Sequence, residues 1–432
     1  SCPPRRAPGQ SPVTARATHN MSYSRLTGLG AIALAAIYCL RRRLIERNAR
    51  ARAARAFAAL GGGPARLSSW VDKRVEYATV EADPRRAFFD AHGFFVARSF
   101  CAASECQALI ARMAGLVEQW DPEVDNAAVF RTDAKQEKAQ GSSDYFLDSA
   151  DRIHFFTEVG AAAADGVGLR PSYRSRKAEA LNKVGHALHL RDAVFRGYSN
   201  SAKLRELVGA LGWVSPVVPQ SMYIFKQAGI GGEVTSHQDS TFLFTTPRQT
   251  CLGLWLALED ATLTNGCLWV RPGSHHEPVR RAFVRQPQPP AAGGAAGGAA
   301  TAAMGFEQQP EAEPVAWEGA LPRSAAPGGL LGGLLAALRR LALGSRFDDL
   351  FAAGFVPVEC RAGDLVCFPG TLDHLSLANS TGKSRHTFQL HLVEGPAAGV
   401  EWSPRNWLQY PTGGPPFHAL GNLAPLAPLQ KA

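Results

Sequence analysis

The chain has 432 residues, 46% hydrophobic, 19% charged and 9% aromatic, which excludes a wholly disordered chain, a collagen-like fibre and a multi-span membrane protein. The formal charge of +9 is unevenly placed: residues 1–66 hold twelve Arg, no Lys and one acid, Glu46, a net of +11 that leaves the rest at −2. A body without a basic excess cannot displace the counterions of a polynucleotide, so no nucleic-acid partner is expected.

In chain order, residues 1–66 read as a basic arm, helical or disordered. Residues 26–40 (LTGLGAIALAAIYCL) carry no charge and run into Arg41, Arg42 and Arg43. Fifteen residues are short for a membrane span. Two readings stand. An Arg-rich, acid-poor leader resembles an organelle transit peptide. A short signal anchor would instead associate with a membrane through residues 26–60 and hold the body on the cytoplasmic side. Both place targeting or anchoring ahead of a structural role, with the GGGP at 61–64 as the break.

The body is expected over 84–410. Residues 94–96 read as a short strand. Ser104 with Gln107 reads as a capping box, opening an amphipathic helix that carries Leu109, Met113, Leu116 and Trp120. Residues 127–198 show no clear period. Apolar or alternating runs follow at 217–225, 251–258, 267–270, 364–368 and 387–393, separated by turn residues. Asn265-Gly266 reads as a hairpin turn between two of them. This is a mainly β fold with flanking helices, of the sandwich or double-sheet type. Residues 286–303 are low-complexity Pro, Ala and Gly, and 330–343 are Leu-rich, so 286–345 reads as an insertion and 411–432 as a tail. The eight cysteines form no C-x-x-C pair, against a structural zinc site or a disulfide scaffold.

The chemistry concentrates in His237-Gln238-Asp239. On an extended chain His237 and Asp239 share a face, so both reach one ion. His374, which follows an apolar strand-like run, is the best third ligand. Two imidazoles and one carboxylate on one side of a metal leave positions open, as in non-haem iron oxygenases. Arg385, eleven residues on, suits a ligand carboxylate, with Lys383 on the same face as the fallback. H-x-D alone is a weak signal; with the distant His and the trailing Arg it becomes moderately specific. His391 reads as a pocket wall or a polar core group, and His275 and His276 as a solvated loop.

Longer segments carry a resemblance. QGSSDYFLDSADRIHFF (140–156), NKVGHALHLRDAVF (182–195), QSMYIFKQ (220–227), GGEVTSHQDSTFLF (231–244), GLWLALEDATLTNGCLWVRPGSH (253–275) and WSPRNWLQ (402–409) resemble the phytanoyl-CoA dioxygenase family of Fe(II)/2-oxoglutarate-dependent oxygenases. The resemblance implies a double-stranded β-helix (jelly-roll) core. It implies iron on His237, Asp239 and His374, and 2-oxoglutarate among Lys183, Met222, Trp255, Arg385 and those ligands. It implies hydroxylation of a small molecule, of acyl-CoA or lipid-like class, with dioxygen consumed and succinate and CO2 released. The alternative is a silent binding protein that keeps the fold.

Overall fold

The computed structural model describes residues 17–60, 84–122, 128–129, 144–163, 168–286, 304–322, 346–409 and 417–424. The break at 61–64, the low-complexity stretch beyond Gln286, the Leu-rich segment 330–343 and most of the tail lie outside the described residues.

The strands in chain order are β1 (Phe95–Ala97), β2 (Ala128–Val129), β3 (Ile153–Thr157), β4 (Leu181–His186), β5 (Pro216–Ile224), β6 (Val234–His237), β7 (Thr245–Thr246) and β8 (Leu252–Ala257). Then come β9 (Leu268–Val270), β10 (Arg281–Arg285), β11 (Met304–Gln308), β12 (Val356–Val358), β13 (Leu365–Pro369), β14 (His374–Ser376), β15 (Thr387–Glu394) and β16 (Glu401–Trp402). A large sheet runs β1-β13-β8-β15-β5-β4-β3-β2 and a smaller one β12-β9-β14-β6. Every pairing within these two sheets is antiparallel except β2 with β3.

The large sheet is covered on both faces, which is why β8 and β13 read as unbroken apolar runs. Along β8, Leu252, Leu254 and Leu256 join a core with Leu109, Leu204 and Leu207 from the flanking helices. Trp255 and Ala257 point the other way, into a second core with Trp269, Val270 and Leu375 of the smaller sheet. β13 and β15 repeat the alternation, with Leu365, Cys367, Leu390 and Leu392 on the helix side. The helix Ala103–Gln119 buries Cys106, Leu109, Met113 and Val117. It starts earlier than the Ser104 reading, because the Glu105 carboxylate accepts from the Ala102 N–H at 2.8 Å and caps the first turn.

Three expectations change. Asn265-Gly266 does make a turn, with Gly266 at φ +89°. The strands it joins do not pair: β8 lies in the large sheet and β9 in the smaller, so the turn carries the chain between layers. The patternless stretch 127–198 contains β3 and β4, which extend the large sheet. Third, the stretch 286–345, read from sequence only as an insertion, joins the fold. β11 pairs with β10 over five residues, and Gly319 and Ala320 exchange backbone hydrogen bonds with Ser236 on β6.

The arm is also revised. One helix, α1, spans Ala17–Ala59. Its later part packs on the body: Ala49 and Ala53 are buried, Arg50 donates from Nε and Nη2 to the Glu359 carboxylate at 2.9 and 3.1 Å, and Arg52 pairs with Asp348. This part therefore has a structural role. Among the described residues no helix is long and apolar enough to cross a membrane.

Candidate metal centre and its cavity

β6 ends at His237 and β14 begins at His374, and the two residues are cross-strand partners. Asp239 opens the short turn that leaves β6. Strand pairing thus brings together ligands far apart in sequence. One ligand atom from each of His237, Asp239 and His374 lies within 4.8 Å of the others. Asp239 Oδ1 is 3.4 Å from His237 Nε2 and 3.7 Å from His374 Nε2.

The tautomers suit metal binding. His237 Nδ1 donates to the Thr235 carbonyl at 2.8 Å, and His374 Nδ1 donates to the Leu372 carbonyl at 3.0 Å. A neutral imidazole so anchored leaves Nε2 as a bare lone pair, and both Nε2 atoms face Asp239. The electrostatics agree. Burial, reinforced by nearby His237, lowers His374 to about 4, so it stays neutral. Burial opposes charging of His237, but the facing Asp239 carboxylate outweighs it and raises the pKa above the ordinary value. Burial would favour protonated Asp239, yet the surrounding His391, His374 and His237 hold it well below the usual carboxylate range. A carboxylate held ionised in spite of burial, facing the Nε2 atoms of two imidazoles, fits a divalent cation.

Every residue expected around a co-substrate reaches the same cavity of about 190 Å³: Lys183, Met222, Trp255 and Arg385 line it with the three ligands. Arg385 is 2% exposed. Its Nη1 donates to Thr387 Oγ1 at 3.2 Å and its guanidinium lies 5.2 Å from the Trp255 ring centre. Its Nε has no hydrogen-bond partner, and among the described residues no carboxylate lies within ion-pair distance of it. A buried cation in this state is able to take an anionic ligand. Lys383 is exposed, so the fallback register is rejected. Lys183 donates to His186 Nε2 at 3.1 Å, and burial lowers its pKa well below the ordinary value. Five aromatic side chains, Phe146, Phe242, Phe283, Phe306 and Trp407, line the cavity as well, beside polar groups such as Gln220, Gln389 and His391.

Two features were not legible beforehand. His391 is more than a wall, since its Nε2 lies 3.0 Å from Asp239 Oδ2. Its place six residues after Arg385 put it on the right face but did not name its partner. The second is an ionic brace behind the ligands. Asp373, next to His374, accepts from Ser236, next to His237. It also accepts from Arg271 Nε at 3.2 Å and Trp317 Nε1 at 3.0 Å. Arg280 and Arg281 both pair with Glu318. Trp317 and Glu318 belong to the insertion, which thereby backs the ligand strands.

Comparison with known proteins gives consistent results. The family model described as Phytanoyl-CoA dioxygenase (PhyH) matches residues 89–387. Phytanoyl-CoA dioxygenase domain-containing protein 1 of Mus musculus is 39% identical over 333 residues, covering 77% of this chain and 96% of that protein. Phytanoyl-CoA dioxygenase 1 of Oryza sativa subsp. japonica is 38% identical over 333 residues, covering 76% and 93%. Among solved structures, the epimerase SnoN in complex with Fe3+, alpha ketoglutarate and nogalamycin RO matches with a TM-score of 0.44 at 15% identity, covering 81% of this chain and 96% of that one.

Proposed function

The chain belongs to the phytanoyl-CoA dioxygenase family, and from that footing we propose that it is an Fe(II)- and 2-oxoglutarate-dependent dioxygenase with a double-stranded β-helix core, hydroxylating a small molecule. The observation that carries the reading is Arg385: a buried guanidinium without a carboxylate partner among the described residues, in the same cavity as a two-His, one-carboxylate set.

When bound, the iron supplies the redox chemistry that couples oxidation of 2-oxoglutarate to succinate and CO2 with insertion of oxygen into a C–H bond. The residues do the rest. His237, Asp239 and His374 hold the metal from one side. Arg385 takes the far carboxylate of 2-oxoglutarate through its fork of N–H donors. Met222 and Trp255 wall the co-substrate, and Lys183 adds a buried donor to the cavity wall. The five aromatic side chains exclude water and receive the apolar part of the prime substrate, which suits an acyl or lipid-like chain. The part of α1 docked on the body stays with the catalytic unit in this reading.

The test is succinate release from 2-oxoglutarate by the full chain with Fe(II) and air. Release that vanishes in His237→Ala and under nitrogen supports the proposal. Equal release by wild type and His237→Ala, or release that persists without oxygen, refutes it. Incubation with a metabolite extract then identifies the prime substrate as the species that gains one oxygen.

A further inference from the structure

The two oxygens of Asp239 do different work. Oδ1 faces both ligand histidines. Oδ2 turns the other way, toward His391 Nε2 at 3.0 Å. Behind His391, Gln220 Nε2 lies 3.1 Å from His391 Nδ1. An ionised carboxylate only accepts, so the Nε2 hydrogen belongs to His391 and donates to Asp239. In the neutral ring Nδ1 then accepts from the Gln220 amide. Gln220, His391 and Asp239 are each less than a tenth exposed, so these bonds form away from competing water.

The strand register builds this chain. Gln220 on β5 and His391 on β15 are cross-strand partners. On the other side of β15, His391 stands opposite Gly253 of β8. A Cβ at Gly253 would lie 3.1 Å from Asp239 Oδ2 and 2.7 Å from the Phe368 ring. The missing side chain lets the carboxylate settle against the large sheet, within reach of His391. The smaller sheet and the turn that leaves it thus supply all three ligand positions, while the large sheet grips one of them from across the cavity.

We infer that His391, itself oriented by Gln220, is a positioning residue: it ties down Asp239 Oδ2 so that the carboxylate presents Oδ1 alone to the metal. This rests on the iron reading above. One oxygen held back leaves room beside the metal for co-substrate and dioxygen; two oxygens would crowd it. A packing role would use the volume of the ring, whereas here both ring nitrogens are committed.

Two substitutions separate positioning from packing in the full-length protein. His391→Phe keeps the ring and loses the donor. His391→Gln keeps an amide donor near the Nε2 position and loses the ring. Cobalt(II), a spectroscopically visible stand-in, is titrated into each metal-free protein, and thermal unfolding is followed alongside. His391→Phe is expected to bind cobalt about 10–100-fold more weakly, and His391→Gln within about threefold of wild type, even where Phe gives the higher melting temperature. Binding by His391→Phe as tight as wild type, or binding by His391→Gln as weak as by Phe, overturns the inference. If either variant fails to fold, Gln220→Leu takes its place: weakened binding is expected, and unchanged binding overturns the inference. The iron reading fails separately, if wild type takes up no metal or if His237→Ala binds as well as wild type.

Discussion

Replacing Arg385 with Met tests the site at its most exposed assumption. Burial lowers the guanidinium from 12.5 to about 10, which at ~1.4 kcal/mol per tenfold is a cost of about 3 kcal/mol for keeping the charge there. The bond to Thr387 and the Trp255 face return about 1–2 kcal/mol. The empty site therefore gains nothing from Arg385, and an apolar side chain of similar length leaves the fold no less stable. Once a carboxylate is bound, truncating the buried cation costs about 2–5 kcal/mol. Arg385→Met is accordingly expected to raise the KM for 2-oxoglutarate roughly 30- to 4,000-fold, with the melting temperature of the ligand-free protein unchanged or higher. Arg385→Lys should fall between, since a point charge replaces a fork. Succinate release at saturating Fe(II) gives KM, and calorimetry gives the melting temperature. A KM within about threefold of wild type, or a sharp fall in ligand-free stability, refutes the assignment of Arg385 as the co-substrate anchor.

Other outcomes follow from the same geometry. Gly253→Ala drives a methyl into Phe368 and toward Asp239 Oδ2; it should cost about 1–3 kcal/mol in urea unfolding and weaken cobalt binding, and unchanged cobalt affinity would count against the close approach. Glu318→Ala takes a shared carboxylate from Arg281 and from Arg280, which keeps Asp373 and Glu277, with an expected loss of about 1–3 kcal/mol; no measurable loss would show that the insertion does not brace the ligand strands. Metal uptake should depend on pH through His237, whose pKa is raised above 6.5 by Asp239 against burial. A metal needs the bare Nε2, so below that raised value apparent cobalt affinity falls about tenfold per pH unit, and above it the affinity levels off. In the metal-free protein the sign is opposite: the stability from His237 is complete below about 6.5 and is lost as pH rises through the folded value. A cobalt affinity flat from pH 6 to 8.5 would contradict this.

Much of the site was readable because its signals are local. H-x-D is three consecutive positions, and Arg385 was preferred to Lys383 by its place before an apolar run. β8, β9 and β13 are visible because burial on both faces leaves a strand no polar alternate, so composition marks them, while β15 is marked by its alternation. The +11 of the first 66 residues likewise follows from counting.

Pairing was not local. Asn265-Gly266 shows a turn, but whether β8 and β9 become neighbours or part into two sheets depends on what else each strand can bury, and β8 finds β13 and β15. β3 and β4 lack periodicity because their burial comes from distant helices and from β5. α1 reads as an arm until Glu359 and Asp348 are brought to its arginines. His391 shows the same division. Its identity and face were set by its position in β15, but its meaning came from Asp239, delivered to the opposite side of the cavity by the pairing of β6 with β14. Residue type and short-range period decide what a side chain is able to do; only the packing of two sheets decides which other side chain it meets.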